Sequence, residues 1–311
     1  MNRYTPEGSL IKTRENFEYI STPEGLIRAH EEGVILEAHA TMCDHSLSLH
    51  VDLPSRMKAV IPRSECEMLR PGEISKDIAV LTRVGKAVCF KVIGFDAGPT
   101  GETVAILSRR AAQEECMERF ISTLSPGDII PAKVTHLESF GAFVDVGCGV
   151  VSLLSIDTIS VSRISHPCAR LSVGNRIHAV VKSTDDRGRV YVSTRELLGT
   201  WQENADCFSE GETVRGIVRS VESYGIFVEL APNLAGLAEY REGIYPGQTA
   251  AVYIKSIIPD KMKIKLIIID TLDESPTPTG LNYFLNPNEI DHIDSWSYSP
   301  PVCKKVIESI F

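Results

Sequence analysis

"SFGAFVDV", residues 139–146, places two phenylalanines, Phe140 and Phe143, three apart across Gly141 in a stretch that otherwise reads as a β-strand. Side chains of an ideal strand alternate between faces, so residues three apart share a side only where an extra residue or a bulge intervenes. Gly141 is the residue expected to supply that irregularity. The construction returns at residues 223–230, "SYGIFVEL", where Tyr224 and Phe227 bracket Gly225. A single aromatic pair could be core filling. A pair repeated together with its glycine suggests that the geometry itself is wanted.

Outward from these stretches the similarity continues. "GDIIPAKVTHLESFGAFVDV" (127–146) aligns without a gap on "GETVRGIVRSVESYGIFVEL" (211–230), with 7 of 20 positions identical and an offset of 84 residues. Each copy opens with a glycine and an acid and runs into β-branched residues at alternate positions. Each then meets a second strand signal ("GVVSLLSI", "AGLAEY") and a Gly-led strand pair ("VGNRIHAVVKSTDDRGRVYVST", "PGQTAAVYIKSIIPDKMKIKLIII"). Five short strands with turn residues between them, over roughly 60 to 70 residues, predict a small closed β-barrel better than a sandwich. A worn copy runs from "GVILEAHATMCDHSLSLHVDL" (33–53) through "GKAVCFKVIGFD" to "VAILSRR", with Leu47 and His50 where the aromatics should be.

Helical patterns separate the copies. "SRRAAQEECMERFISTLSPGD" spaces Ala112, Met117, Phe120, Ile121 and Leu124 near a 3.6-residue period and stops at Ser125-Pro126-Gly127. "STRELLGTWQENADCF" opens with Ser193 and Glu196 in capping-box spacing and carries a stripe of Leu197, Trp201, Ala205 and Phe208. Both stripes are expected to pack on adjoining barrels. The chain thus divides into a helical lead-in (1–32), a degenerate barrel (33–110), a helical linker (111–126), a second barrel (127–195), a second helical linker (196–210), a third barrel (211–268) and a C-terminal segment (269–311). "TLDESPTPTG" reads as a flexible linker. The residues beyond it, with Tyr283, Phe284, Trp296 and Tyr298, are too apolar for disorder, and no role is legible in them.

The 311 residues carry a net charge of −9, which at first argues against a polyanionic partner. Its distribution reverses the argument: residues 127–195 hold 8 Lys and Arg against 6 Asp and Glu, and residues 211–268 hold 7 against 6. The excess acid lies in the lead-in, the connectors and the C-terminal segment, away from the surfaces that would meet a ligand. Eight cysteines without CxxC pairing favour reduced, mostly buried thiols over disulfides or zinc. His39, Cys43, His45 and His50 have ligand chemistry but no second pair at a zinc spacing. The N-terminus has no apolar run of signal-peptide length and no segment is long enough to span a membrane, so a cytoplasmic protein is expected.

Exposed aromatics on a small barrel with cations nearby make a stacking platform for unpaired bases, and single strands are its natural ligand because duplexes hide their base faces. The residues "GDIIPAKVTHLESFGAFVDVG" followed by "GRVYVSTREL" resemble the S-one domain, the OB-fold RNA-binding repeat of the bacterial ribosomal protein S-one family. The resemblance is close over 127–195, good over 211–268, weak over 33–110 and absent from both ends. It implies a mainly β fold of tandem five-stranded OB-fold barrels joined by α-helical linkers, the first barrel degenerate. It also implies an RNA face on Phe140, Phe143, Ser152 where a histidine is usual, Asp185 and Arg189, with His136 and Lys182 as added donors. In the next copy the face falls on Tyr224, Phe227 and Lys263, with Glu239 at the histidine position and Pro259 at the aspartate position. The middle barrel is accordingly expected to bind RNA best, the third less well and the first little.

The function expected is that of a non-catalytic protein that holds single-stranded mRNA in translation, with small-subunit ribosomal proteins as further partners and no cofactor, metal or membrane. An RNA-binding accessory of RNA decay or transcription machinery and a protein-docking scaffold are the alternatives. No phosphate loop, nucleophile elbow, dinucleotide fingerprint, two-metal carboxylate cluster or GxxG loop is present in the sequence.

Overall fold

Strict alternation of small and β-branched residues closes the barrels. In the computed structural model, which describes residues 4–69, 72, 74, 76–98, 101–186, 188–272 and 280–311, the strand Ile129–Glu138 turns Ile130, Ala132 and Val134 inward, and its partner Gly141–Asp145 turns Ala142 and Val144 inward. Outward positions between them stay partly solvated, the pattern of a sheet wrapped around its own core.

Three barrels follow one plan. The first comprises β1 (Leu36–Cys43), β2 (Leu49–Asp52), β3 (Lys58–Ile61), β4 (Ala87–Ala97) and β5 (Thr103–Ser108). The second comprises β6 (Ile129–Glu138), β7 (Gly141–Asp145), β8 (Val151–Ser155), β9 (Arg176–Thr184) and β10 (Val190–Ser193). The third comprises β11 (Thr213–Glu222), β12 (Gly225–Ala231), β13 (Leu234–Ala238), β14 (Thr249–Ile258) and β15 (Lys263–Leu272). In each, three strands meander antiparallel, the third pairs in parallel with the fifth, and the fourth returns antiparallel to the first, closing the barrel. This is the OB-fold topology, and the weakly matched first copy keeps it in full.

The barrels are joined through buried charge. The helix Arg109–Arg119, capped where the Ser108 hydroxyl accepts from Ala111 N, sends Ala112 and Cys116 into the core of the second barrel. Its first residue, Arg109, is buried and donates from Nε to Glu7 Oε1 at 2.7 Å. Glu7 in turn donates its backbone N–H to Asp145 Oδ2 at 2.7 Å, so the lead-in is threaded between the first two barrels. Gly8, Leu10 and Ile11 continue the thread, each donating a backbone N–H to buried Glu37 Oε2. At the next joint Glu229 of β12, at the register position of Asp145 in β7, accepts from Arg219 of its own barrel and from buried Arg170 of the second. Burial with partners on only one side would be costly for such groups, and Arg109 and Arg83 answer Glu7 at the first joint as Arg170 and Arg219 answer Glu229 at the second.

The C-terminal segment is a strap. Its residues recross the second barrel, where Ile129 N donates to Asp291 O at 2.7 Å and Tyr283 bonds the backbone of His178 through its hydroxyl. Tyr283, Leu285, Ile293 and Phe311 pack against Ile129, Val180 and Leu197. The strap then forms a short ribbon, β16 (Ser295–Ser297) with β17 (Glu308–Ile310), that seats Trp296 and Tyr298 in the core of the third barrel. The residues read as a flexible linker lie mostly outside the described residues.

Two local expectations need correction. Ser193 does not open a capping box with Glu196: its hydroxyl is buried and donates directly to the Glu196 carboxylate, while the box forms at Thr200 and Glu203, ahead of the helix Trp201–Ala205. The cysteines are free, but only Cys66, Cys89, Cys116 and Cys148 of the eight are buried. Among the described residues no helix is long and apolar enough to cross a membrane, and no three His, Cys, Asp or Glu side chains converge to hold a metal ion.

Candidate nucleic-acid interface

The irregularity that brings Phe140 and Phe143 together is not at Gly141. Ser139 and Phe140 form the two-residue turn of the β6–β7 hairpin, whose last pair is Glu138 with Gly141, and the extra residue is Thr135, a bulge between Val134 and His136 in β6. Phe140 therefore leans from the hairpin tip over Phe143, with ring centroids 6.0 Å apart at 86°. Gly141 is needed for a different reason: a Cβ there would lie 2.4 Å from Leu154 O of the neighbouring strand. Gly225 meets the same limit, 2.6 Å from Ala238 O.

The third barrel reproduces the arrangement. Its bulge falls between Val218 and Ser220, its turn is Ser223 and Tyr224, and Tyr224 meets Phe227 at 6.2 Å and 86°. Phe140 is 53% exposed and Tyr224 69%, so the edge-on rings are offered to solvent and not held in the core. Val144 and Val146 take the inward positions beside Phe143 and are fully buried.

Strand register extends each pair into a row across the outer face. In the second barrel His136, Phe143, Leu153, Tyr191 and Ser183 stand side by side on β6, β7, β8, β10 and β9. His136 lies parallel to Phe143, with centroids 6.4 Å apart, and its Nε2 sits 2.8 Å from Glu138 Oε1. In the third barrel the row is Ser220, Phe227, Leu237, Lys265 and Ser256. In the first it is Met42, His50, Val60, Ile106 and Gly94, with His50 Nε2 held 3.0 Å from Asp44 Oδ2 and Leu47 in a longer turn. That row has no aromatic, as the loss of the pair at Leu47 and His50 implies.

The same register locates the remaining residues. Arg189 and Lys263 are equivalent, each one residue before the fifth-strand residue that pairs near the tip of the last hairpin. Lys182 is the bulged residue of β9 and is exposed; its counterpart in β14 is Lys255, which sequence reasoning missed although both follow a β-branched strand core. Asp185 shapes the β9–β10 hairpin, its Oδ1 accepting from Arg189 N at 2.8 Å. By the same register the counterpart of Asp185 in the third barrel is Ile258 and not Pro259, which follows it and opens a one-turn 3-10 segment.

Ser152 is misplaced. It is 3% exposed and its hydroxyl donates to Val190 O inside the barrel. Gly141 pairs with Ser155, while Ile226 pairs with Ala238 and so sets Gly225 beside Glu239, which makes Ser155 the counterpart of Glu239. A slip of three residues carried the assignment from the outer face to the inner one. Setting "SLLSID" above "GLAEYR", leucine on leucine, would have found it.

The family model described as "S1 RNA binding domain" matches residues 123–195. The small ribosomal subunit protein bS1 of Staphylococcus aureus (strain COL) is 29% identical over 304 residues, covering 91% of this chain and 74% of that protein. The bS1 of Staphylococcus epidermidis is 29% identical over 306 residues, covering 91% and 75%. Among solved structures, GSP13 from Bacillus subtilis matches with 24% identity and a TM-score of 0.24, covering 28% of this chain and 75% of that one.

Proposed function

We propose that this chain, an S1-domain relative of bacterial small ribosomal subunit protein bS1, binds single-stranded RNA in translation, at the small ribosomal subunit, by stacking unpaired bases on its second and third barrels. The observation that carries the reading is the repeated pair: Phe140 over Phe143 and Tyr224 over Phe227, edge-on at 86° on the same face of two barrels, with Phe140 and Tyr224 exposed and Phe143 and Phe227 half-buried beneath them. A face of this kind accepts any base, since every base has a π-surface, and each good stack contributes about 1 to 3 kcal/mol. Around the rings, Lys182, Arg189, His136 and Ser155 in the second barrel and Lys255, Lys263 and Lys265 in the third supply donors for phosphate and sugar. The third barrel sets Glu239 beside that path, which weakens it relative to the second. The work is binding without turnover, carried out in the cytoplasm.

The test is fluorescence anisotropy of a labelled uridine-rich single strand, against a duplex of equal length, with the intact protein and with Phe140→Ala plus Phe143→Ala. Preference for the single strand and at least a tenfold loss in the variant, about 1.4 kcal/mol or one stack, are expected. Equal binding by the two proteins would overturn the reading. Co-sedimentation with small subunits in extract separates a translational role from an accessory of RNA decay, which would not follow the ribosome.

A further inference from the structure

The joint between the first two barrels holds a cleft that the aromatic rows do not use. It encloses about 560 Å³ and is lined by Lys12 and Ser9 of the lead-in, His39 and Lys86 of the first barrel, and Lys133 and Arg176 of the second. No carboxylate lines it, in a chain where acids outnumber bases 41 to 32. Lys12 and Lys86 are exposed, and among the described residues neither has a carboxylate within bonding distance. A concave surface that gathers cations and excludes acids concentrates anions, the more so beside low-dielectric walls.

The cleft is built in advance. Lys133 Nζ donates to Glu7 O at 2.7 Å and Arg176 Nη2 to Gly8 O at 2.7 Å, so both cations are tied to the lead-in backbone. That backbone is fixed from below by buried Glu37 and Asp145. Gly8 has φ +95°, and a Cβ on it would reach within 3.2 Å of Lys133 Nζ, so a side chain there would crowd the floor.

The cleft also leads to the platform. Lys133 precedes His136 on the outer side of β6 with only the bulge between them, and the adjoining cavity of about 230 Å³ is lined by Arg83, Lys86, Lys133 and Thr135, with the buried carboxylates of Glu7 and Asp145 at its floor, where Arg109 and Arg83 pair with Glu7. The Thr135 hydroxyl donates to Phe143 O at 3.1 Å, so this cavity borders the stacking row.

We infer that this cleft binds the sugar-phosphate backbone of the same RNA strand after it leaves the Phe140 and Phe143 platform. The inference rests on the RNA-binding reading above, and it gives the first barrel a part in that binding without any aromatic: it supplies one wall of a phosphate channel. The contacts are to phosphate and carry no sequence preference.

The experiment measures affinity of the full chain for uridine oligomers of about 6 and about 20 nucleotides, one covering a single platform and the other reaching the cleft. Lys12→Gln plus Lys86→Gln alters two side chains that hold nothing in the fold. It is expected to leave the short oligomer unchanged, to weaken the long one about tenfold, and to flatten the slope of log K against log salt by about 1.4, two contacts at about 0.7 each. Unchanged affinity and slope with the long oligomer would overturn the inference. Phe140→Ala plus Phe143→Ala keeps the two readings apart. If that variant loses the short oligomer while the lysine variant binds both normally, the cleft assignment alone has failed. If it retains the short oligomer while the lysine variant loses the long one, the platform has failed and the cleft stands.

Discussion

Removing Glu229 should damage the third barrel far more than removing Arg170, although the two form one ion pair. Glu229 is 2% exposed and accepts from Arg170 Nη2 and from Arg219 Nε at 2.7 Å and Nη2 at 3.0 Å. Glu229→Gln keeps the shape but leaves two guanidinium groups facing a neutral amide, one of them buried; breaking a buried pair in this way costs about 3 to 5 kcal/mol. Arg170→Met leaves Glu229 still matched by Arg219, and it removes a guanidinium whose charged form burial already disfavours. Its cost should be nearer that of a single charge-assisted hydrogen bond, about 1.5 to 3 kcal/mol, less the relief of desolvation. The chain's two tryptophans, Trp201 and Trp296, both sit in the core of the third barrel, so intrinsic fluorescence during urea unfolding reports on that barrel alone. With a slope of about 2 kcal/mol per molar urea, Glu229→Gln should lower the midpoint by about 2 M and Arg170→Met by less than about 1 M. Equal shifts, or a larger one for Arg170→Met, would refute the claim that Glu229 is the shared centre of this joint.

Two further outcomes are expected. Burial raises the Glu37 carboxyl to about 7, against three lead-in N–H groups that favour its charge. Since the folded value exceeds the unfolded one, this contribution is complete below about pH 4.5 and is lost as pH rises to about 7, of order 3 kcal/mol in all; amide exchange at Leu10 and Ile11, corrected for intrinsic rates, should quicken over that window, and Glu37→Gln should reduce the dependence to the part carried by Asp145, whose carboxyl burial likewise raises to about 7. Gly141→Ala, with its Cβ 2.4 Å from Leu154 O, should cost about 2 kcal/mol or more and displace the hairpin tip, weakening RNA binding with both rings intact; unchanged amide shifts of Phe140 and Phe143 would contradict this.

The barrels and the stacking pair were legible because they rest on local pattern. Alternation along a strand and a glycine between two aromatics are written within ten residues, and the second copy showed that the first was no accident. What the sequence concealed was the buried charge that crosses between units. Glu7 with Arg109 and Arg170 with Glu229 are separated by 102 and 59 positions, and a charged residue that will be buried looks the same in sequence as one that will be solvated. The misplacement of Ser152 has another cause: inner and outer residues of a strand are neighbours in sequence, so a small slip in alignment exchanges them. Thr135 and Lys255 went unread because a bulge leaves no compositional mark.

The strap sets an order of events for the growing polypeptide. Residues 281–311 cover Ile129, Val180 and Leu197 and lend Trp296 and Tyr298 to the third core, yet they are made after both barrels they serve. At about 5 to 20 residues per second, the second barrel can close while the third is still being synthesised. During that interval its apolar flank faces water, open to a chaperone or to a neighbouring nascent chain. A stretch made after the two barrels is therefore the one that covers this flank.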